Sequence, residues 1–149
     1  MKLHTDTNTS MNTVTAYGNG FVEINKQRYA HAIAFGPVGD ISPWPARHAA
    51  DISTALLLAA ARITLQPLDP MAFLEADDVA SPQFTGERPE VLLVGTGAKQ
   101  LLLPHNILTP LLKMGIGVEC MSTQAAARTY NILMSEGRQV IAALLPEDE

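Results

Sequence analysis

The chain has 149 residues, 47% of them hydrophobic, with a formal net charge of −5 and a single cysteine. That length suits one domain able to bury about two-thirds of its unfolded surface, and the composition excludes a wholly disordered chain. The ten Lys and Arg residues are scattered, which excludes the clustered cations that nucleic-acid binding uses to neutralise phosphates.

Residues 1–11 are rich in Thr and Asn without periodicity and are expected to be disordered, leaving residues 12–149 as one domain. No apolar stretch marks a secretory signal at the start. The longest apolar run, residues 55–61, is too short to cross a bilayer, so no transmembrane segment is expected and cytoplasm is the default compartment. Residues 13–17 and 21–24 have strand composition around the turn Gly18-Asn19-Gly20. After Asn25-Lys26-Gln27, residues 28–35 alternate, with Tyr29, His31, Ile33 and Phe35 on one side and three alanines on the other. Period two predicts a strand, so the first quarter reads as a β-meander, with His31 a half-buried packing residue.

Ser42-Pro43-Trp44-Pro45 is a stiff connector. Trp44 is either a partner anchor or a lid on the core. Residues 47–65 are rich in Ala and Leu and predict a helix, with a second short helix opening at Asp69-Pro70. Residues 77–90, with Pro82, Gly86 and Pro89, read as a surface loop.

The last sixty residues carry the clearest pattern. Val91-Leu92-Leu93-Val94, residues 116–121 and residues 140–145 are continuous apolar runs, as in strands covered on both faces. Cys120, inside the second run, reads as a small hydrophobe, and a lone cysteine excludes an internal disulfide and a cysteine-rich zinc site. Between the strands, residues 104–114 predict a helix that ends at Gly115. A second runs from a cap at Ser122 or Thr123 to about Glu136. Ala125, Thr129, Ile132, Leu133 and Glu136 are taken as its core-facing stripe, and Tyr130 with Met134 as a packing pair. Strand–helix–strand–helix–strand implies right-handed crossovers and parallel pairing. The fold class is therefore mixed α/β (α+β): a β-meander followed by a β-α-β-α-β unit.

Several blocks in one order are more specific than any single motif. Val91-Leu92-Leu93-Val94-Gly95-Thr96-Gly97, Gly115-Ile116-Gly117-Val118-Glu119, Ala126-Ala127-Arg128-Thr129-Tyr130-Asn131, Glu136-Gly137-Arg138 and Ala142-Ala143-Leu144-Leu145-Pro146 together resemble the Mth-nine-thirty-eight-like domain family. Tyr17-Gly18 through Arg28-Tyr29, then Trp44-Pro45, resemble its opening hairpin and loop. The family includes bacterial and archaeal proteins of unassigned function, an adipogenesis-associated protein and mitochondrial complex I assembly factor three. The resemblance implies a single three-layer β/β/α domain, no catalytic residues, no cofactor and a protein partner, with a homo-oligomer left open. The sequence departs from the family pattern in three ways: Ser122 stands where Asp is common, Ala127 where Cys is common, and residues 49–86 form a longer middle.

Two constellations could carry chemistry. Gly95-Thr96-Gly97 after a strand, with Glu119 about twenty residues on, has the placement of a dinucleotide loop and its ribose-binding acid. Against it, position 100 is Gln and Pro104 delays the helix. The bland alternative is a tight turn needing positive φ. Arg128, Asn131 and Ser135 share one helix face, which either binds an anion or is simply solvated, and Asn131 could instead brace a neighbouring loop's backbone, such as that of Gly95 to Gly97. The four histidines show no metal-ligand spacing, and only His105, near the 95–97 loop in sequence, is a candidate acid or base. No nucleophile elbow and no P-loop occur. The sequence therefore points to a non-enzymatic interaction module, with a small-molecule or nucleotide binder, or an enzyme, as the alternative.

Overall fold

The structure, a computed structural model, describes residues 11–65, 84–85 and 88–147. The expectations for residues 1–10, for a helix after Asp69 and for most of the 77–90 loop lie outside the described residues.

Strands β1 (Val14–Gly18), β2 (Phe21–Ile24) and β3 (Gln27–Tyr29) form a three-stranded antiparallel sheet in chain order. Asn25 and Lys26 both take positive φ between β2 and β3. That matches the twist of a two-residue hairpin, and Asn tolerates the left-handed region better than most residues. The meander is therefore real but shorter than the alternation suggested. The run 28–35 is split, because β3 stops at Tyr29 and β4 (Ile33–Phe35) belongs to a different sheet. Alternation persists across the break, so it could not signal the change of sheet. His31 lies in the gap and is exposed rather than half-buried, its ring edge-on to Tyr29.

The second sheet has five strands, in the order β5 (Ser42–Pro43), β4, β10 (Val140–Leu144), β8 (Val91–Gly95) and β9 (Gly117–Met121). Strand β8 pairs in parallel with both β9 and β10, whereas β4 runs antiparallel to β10. A short antiparallel pair, β6 (Thr64–Leu65) with β7 (Phe84–Thr85), stands apart. Helices α2 (His105–Lys113) and α3 (Thr123–Ser135) make the two crossovers expected of parallel strands.

Both faces of the sheet's central strands are covered, which is why β8 and β10 read as unbroken apolar runs. Ile141, Ala143 and Leu145, with Leu92 and Val94, point into one cluster with Leu57 and Ala60 of α1 (Thr54–Ala60) and with Leu111 and Met114. Val140, Ala142 and Leu144, with Leu93, point the other way, against α3 and against Val14, Val22 and Ile24 of the small sheet. The result is three layers: helices α1 and α2, the large sheet, and the small sheet beside α3.

The helix expected over 47–65 is shorter. The carboxylate of Asp51 accepts from the amides of Arg47 and His48 at 3.0 and 3.1 Å and makes a turn; a 3₁₀ turn covers Ala49–Asp51. Ser53, whose Oγ accepts from the Leu56 amide, starts the helix instead. Arg62 ends it in the left-handed region at φ 63°, where glycine is usual. The Arg62 guanidinium offsets that conformation by donating to the carbonyls of Val38 and Asp40.

The stripe assigned to α3 is corrected by about one residue. Ala126, Ala127, Tyr130 and Met134 are buried, whereas Ile132 is 57% exposed. One residue is a 100° rotation, enough to move a stripe from one face to the next, and two small alanines bring the helix close to the sheet. The pairing of Tyr130 with Met134 as packing residues agrees with their placement in one core cluster. Ile132→Ala is therefore expected to change stability by no more than about 0.5 kcal/mol, measured by chemical denaturation.

Candidate functional site

The 95–97 loop leaves the end of β8 and turns against the first residue of α3, Thr123. The Gly97 amide donates to Thr123 Oγ1 at 2.9 Å, and the Thr123 amide donates back to the Gly97 carbonyl at 2.8 Å. The Thr123 hydroxyl in turn donates to the Leu145 carbonyl at 2.5 Å, and the Leu145 amide donates to the Gly95 carbonyl at 2.9 Å. The Thr96 amide donates to the Met121 carbonyl at 2.9 Å, while its hydroxyl accepts from the Leu101 amide and lies 2.5 Å from the Lys99 carbonyl. Thr96, Gly97 and Thr123 are all buried.

These bonds bear directly on anion binding. A phosphate loop works because its amides point at the ligand, and here the amides of Thr96 and Gly97 are already used within the protein. Helix α2 does not begin until His105. Glu119 lies exposed on β9, in register with Leu93, while Gly95 faces Met121. Gly97 takes φ +100°, the tight-turn geometry. A Cβ there would find nothing nearer than the Pro146 carbonyl at 4.0 Å, so the cost of a side chain is conformational. Gly97→Ala is expected to lower stability by about 1–2 kcal/mol, read from the denaturation midpoint. Thr123, which the sequence marks only as a possible helix cap, ties three chain segments together through its hydroxyl and amide.

The other expected site residues fall elsewhere. Trp44 is 4% exposed, its indole N–H donating to the Leu56 carbonyl at 2.9 Å; it closes the core over α1 and offers no anchor at the surface. Arg128 is exposed on α3 and donates to the Tyr17 hydroxyl at 3.2 Å. Asn131 does brace a backbone, but that of Val14: its Oδ1 accepts from the Val14 amide at 3.0 Å and its Nδ2 donates to the Val14 carbonyl at 2.8 Å. Asn131→Ala is expected to cost about 1–3 kcal/mol, because both Val14 groups lose their partner, whereas Arg128→Ala should stay within about 0.5 kcal/mol. Thermal unfolding of the two variants side by side checks the contrast.

Among the described residues, strand β9 is an edge of the large sheet. Gly117 and Met121 bond towards β8, so the alternate residues Val118 and Cys120 turn their amides and carbonyls away from it. The Cys120 carbonyl accepts from the Gln100 side chain at 2.9 Å. Partial burial pushes the Cys120 thiol above its usual pKa, so it is held as a neutral thiol rather than a nucleophile. The loop carrying Gln100 also carries Leu101 and Leu102, which are 47% and 80% exposed.

Two clefts open elsewhere. One, of about 540 Å³, is bordered by Val38, Arg62, Met134, Arg138 and Ile141. The other, of about 600 Å³, is bordered by His31, Trp44, Arg47, His48 and Pro146. Neither includes Gly95, Thr96 or Gly97. Among the described residues no three His, Cys, Asp or Glu side chains are grouped to hold a metal ion, and no helix is long and apolar enough to cross a membrane.

Comparison with known proteins places these features in a wider set. Residues 14–145 match the family model described as protein of unknown function (DUF498/DUF598). The solution NMR structure of a Bordetella pertussis protein described as a Mth938-like domain is 54% identical, with a TM-score of 0.76, covering 100% of this chain and 94% of that one. An uncharacterized protein of Rhodobacter capsulatus is 46% identical over 70 residues, 47% of this chain and 56% of that protein. NADH dehydrogenase [ubiquinone] 1 alpha subcomplex assembly factor 3 of Danio rerio is 47% identical over 57 residues, 38% of this chain and 33% of that protein. The chain thus spans between a third and just over half the length of these two curated relatives.

Proposed function

The chain belongs to the DUF498/DUF598 family, with a Mth938-like fold, and on that premise we propose that it is a non-enzymatic, assembly-factor-like module that docks a protein partner in the cytoplasm. The observation that carries the reading is the position of β9 as the last strand of the large sheet among the described residues, beside the exposed Leu101 and Leu102. An edge strand offers unpaired backbone groups to an extended segment of another chain, and exposed leucines beside it supply apolar area that a partner would bury. Glu119 lies on the same strand and adds a charge for a basic residue of that segment. The buried 95–97 turn serves this surface by fixing where the 98–103 loop leaves the sheet. The likeness to an assembly factor supports a protein partner rather than a metabolite. The spent amides of Thr96 and Gly97 weigh against the alternative, a nucleotide held by that loop.

Co-purification with tagged protein from its native cell tests the reading, with Leu102→Asp run alongside. A partner recovered with the parent chain and lost with Leu102→Asp is the expected result. Recovery of the bare protein under gentle conditions, or equal capture by both forms, would overturn it. A thermal-shift screen with nucleotides tests the alternative, since a ligand at a hundred times its dissociation constant adds about 2.7 kcal/mol.

A further inference from the structure

The cleft bordered by His31 and Arg47 has a chemistry unlike the rest of this acidic chain. Its walls are small and stiff, formed by Ala32, Ala46, Pro45 and Pro146 over the buried Trp44. Three side chains able to carry positive charge, His31, Arg47 and His48, line it, and among the described residues no carboxylate does. The chain as a whole carries −5, so long-range attraction does not bring anions here and the local arrangement must.

Two contacts organise the basic groups. His31 Nδ1 lies 3.0 Å from the Ala32 carbonyl; a carbonyl can only accept, so Nδ1 bears the proton. In the neutral ring Nε2 is then an acceptor, and it donates to an anion only when the ring carries its second proton as well. On the other wall, the Asp51 carboxylate takes the amides of Arg47 and His48 at 3.0 and 3.1 Å. That fixes the backbone beneath both side chains, and those bonds together with the neighbouring charges hold Asp51 below the usual carboxylate range. Asp51 is thus a charged neighbour that any anion must tolerate, and the planar fork of Arg47 is the group best matched to a two-oxygen ligand.

We infer that this cleft binds a small organic oxyanion, a carboxylate or phosphate on a compact apolar body, with Arg47 as the fork and the doubly protonated ring of His31 as the flanking donor. A pocket of this size, apolar in its walls with a few convergent polar groups, is the usual form of a small-ligand site. The site is separate from the β9 edge, so it stands or falls independently of protein docking.

NMR titration of the full chain with benzoate and with phenyl phosphate, against sodium chloride at matched ionic strength, tests the inference. Saturable shifts of the His31 and His48 ring protons are expected, with the anion that saturates first identifying the head group. Arg47→Ala should weaken binding about tenfold, Arg47→Gln similarly, and Lys113→Ala not at all. Both Arg47 variants remove an exposed side chain, and their spectra report folding directly. Shifts that stay linear, that chloride reproduces, or that persist at full strength in the Arg47 variants would overturn the site.

Discussion

Tyr130→Ala is expected to remove about 4 kcal/mol of stability, a large part of the 5–15 kcal/mol typical of a domain. The ring is fully buried, edge-to-face with Phe35 at 4.8 Å between centroids and 72° between planes. Its hydroxyl donates to the Asn12 carbonyl at 2.7 Å. Asn12 in turn gives its side-chain amide to the carbonyls of Gly36 and Gly39 and accepts from Asn25, so one phenol anchors a link between α3 and two loops. Tyr130→Phe isolates the polar share and should cost about 1–2 kcal/mol, since the Asn12 carbonyl loses its buried partner. Burial raises the phenol pKa above its ordinary value of 10.0. A group raised in the folded state contributes stability that is complete below the unfolded pKa and lost as pH rises beyond it. Stability should therefore fall above about pH 10, and Tyr130→Phe should flatten that fall. Denaturant midpoints measured from pH 7 to pH 11 decide it, and equal slopes for both proteins would contradict the assignment.

Gly95→Ala is expected to cost about 3 kcal/mol, more than Gly97→Ala although Gly95 does not sit at positive φ. An added Cβ would lie 2.9 Å from Leu144 Cδ2, from Thr123 Cα and from Thr123 Oγ1. Two of those contacts belong to the residue that ties the loop to α3 and β10, and one is backbone that cannot rotate away. The substitution therefore pushes β8, α3 and β10 apart at their tightest point. Denaturation of the two glycine variants checks the order, and a Gly95→Ala midpoint equal to that of the parent would show that the elements can give.

Legibility in the sequence followed how local each signal was. The β8, β9 and β10 runs, the turn at Gly97 and the caps around α3 depend on residues close in the chain, and all were readable. The phase of α3 was not. Ile132 and Tyr130 are both apolar enough for a core, and what selects Tyr130 is a carbonyl 118 positions away in sequence. Trp44 could be read as anchor or lid until the Leu56 carbonyl accepted its indole. The partner of Asn131 lies 117 positions away, so no spacing argument could find it.

The mixed α/β class, the β-α-β-α-β order and the family resemblance were legible along the chain, as was the scatter of its ten Lys and Arg residues. Those follow from composition, periodicity and short motifs, each of which acts within a few residues. It took the packing of the layers to divide residues 28–35 between two sheets, to spend the amides of Thr96 and Gly97 on Met121 and Thr123, to set β9 last among the described strands of the large sheet and to line one cleft with His31 and Arg47. Each of those depends on which distant backbone group satisfies a buried donor or acceptor, and that pairing is settled when the layers close, not along the chain.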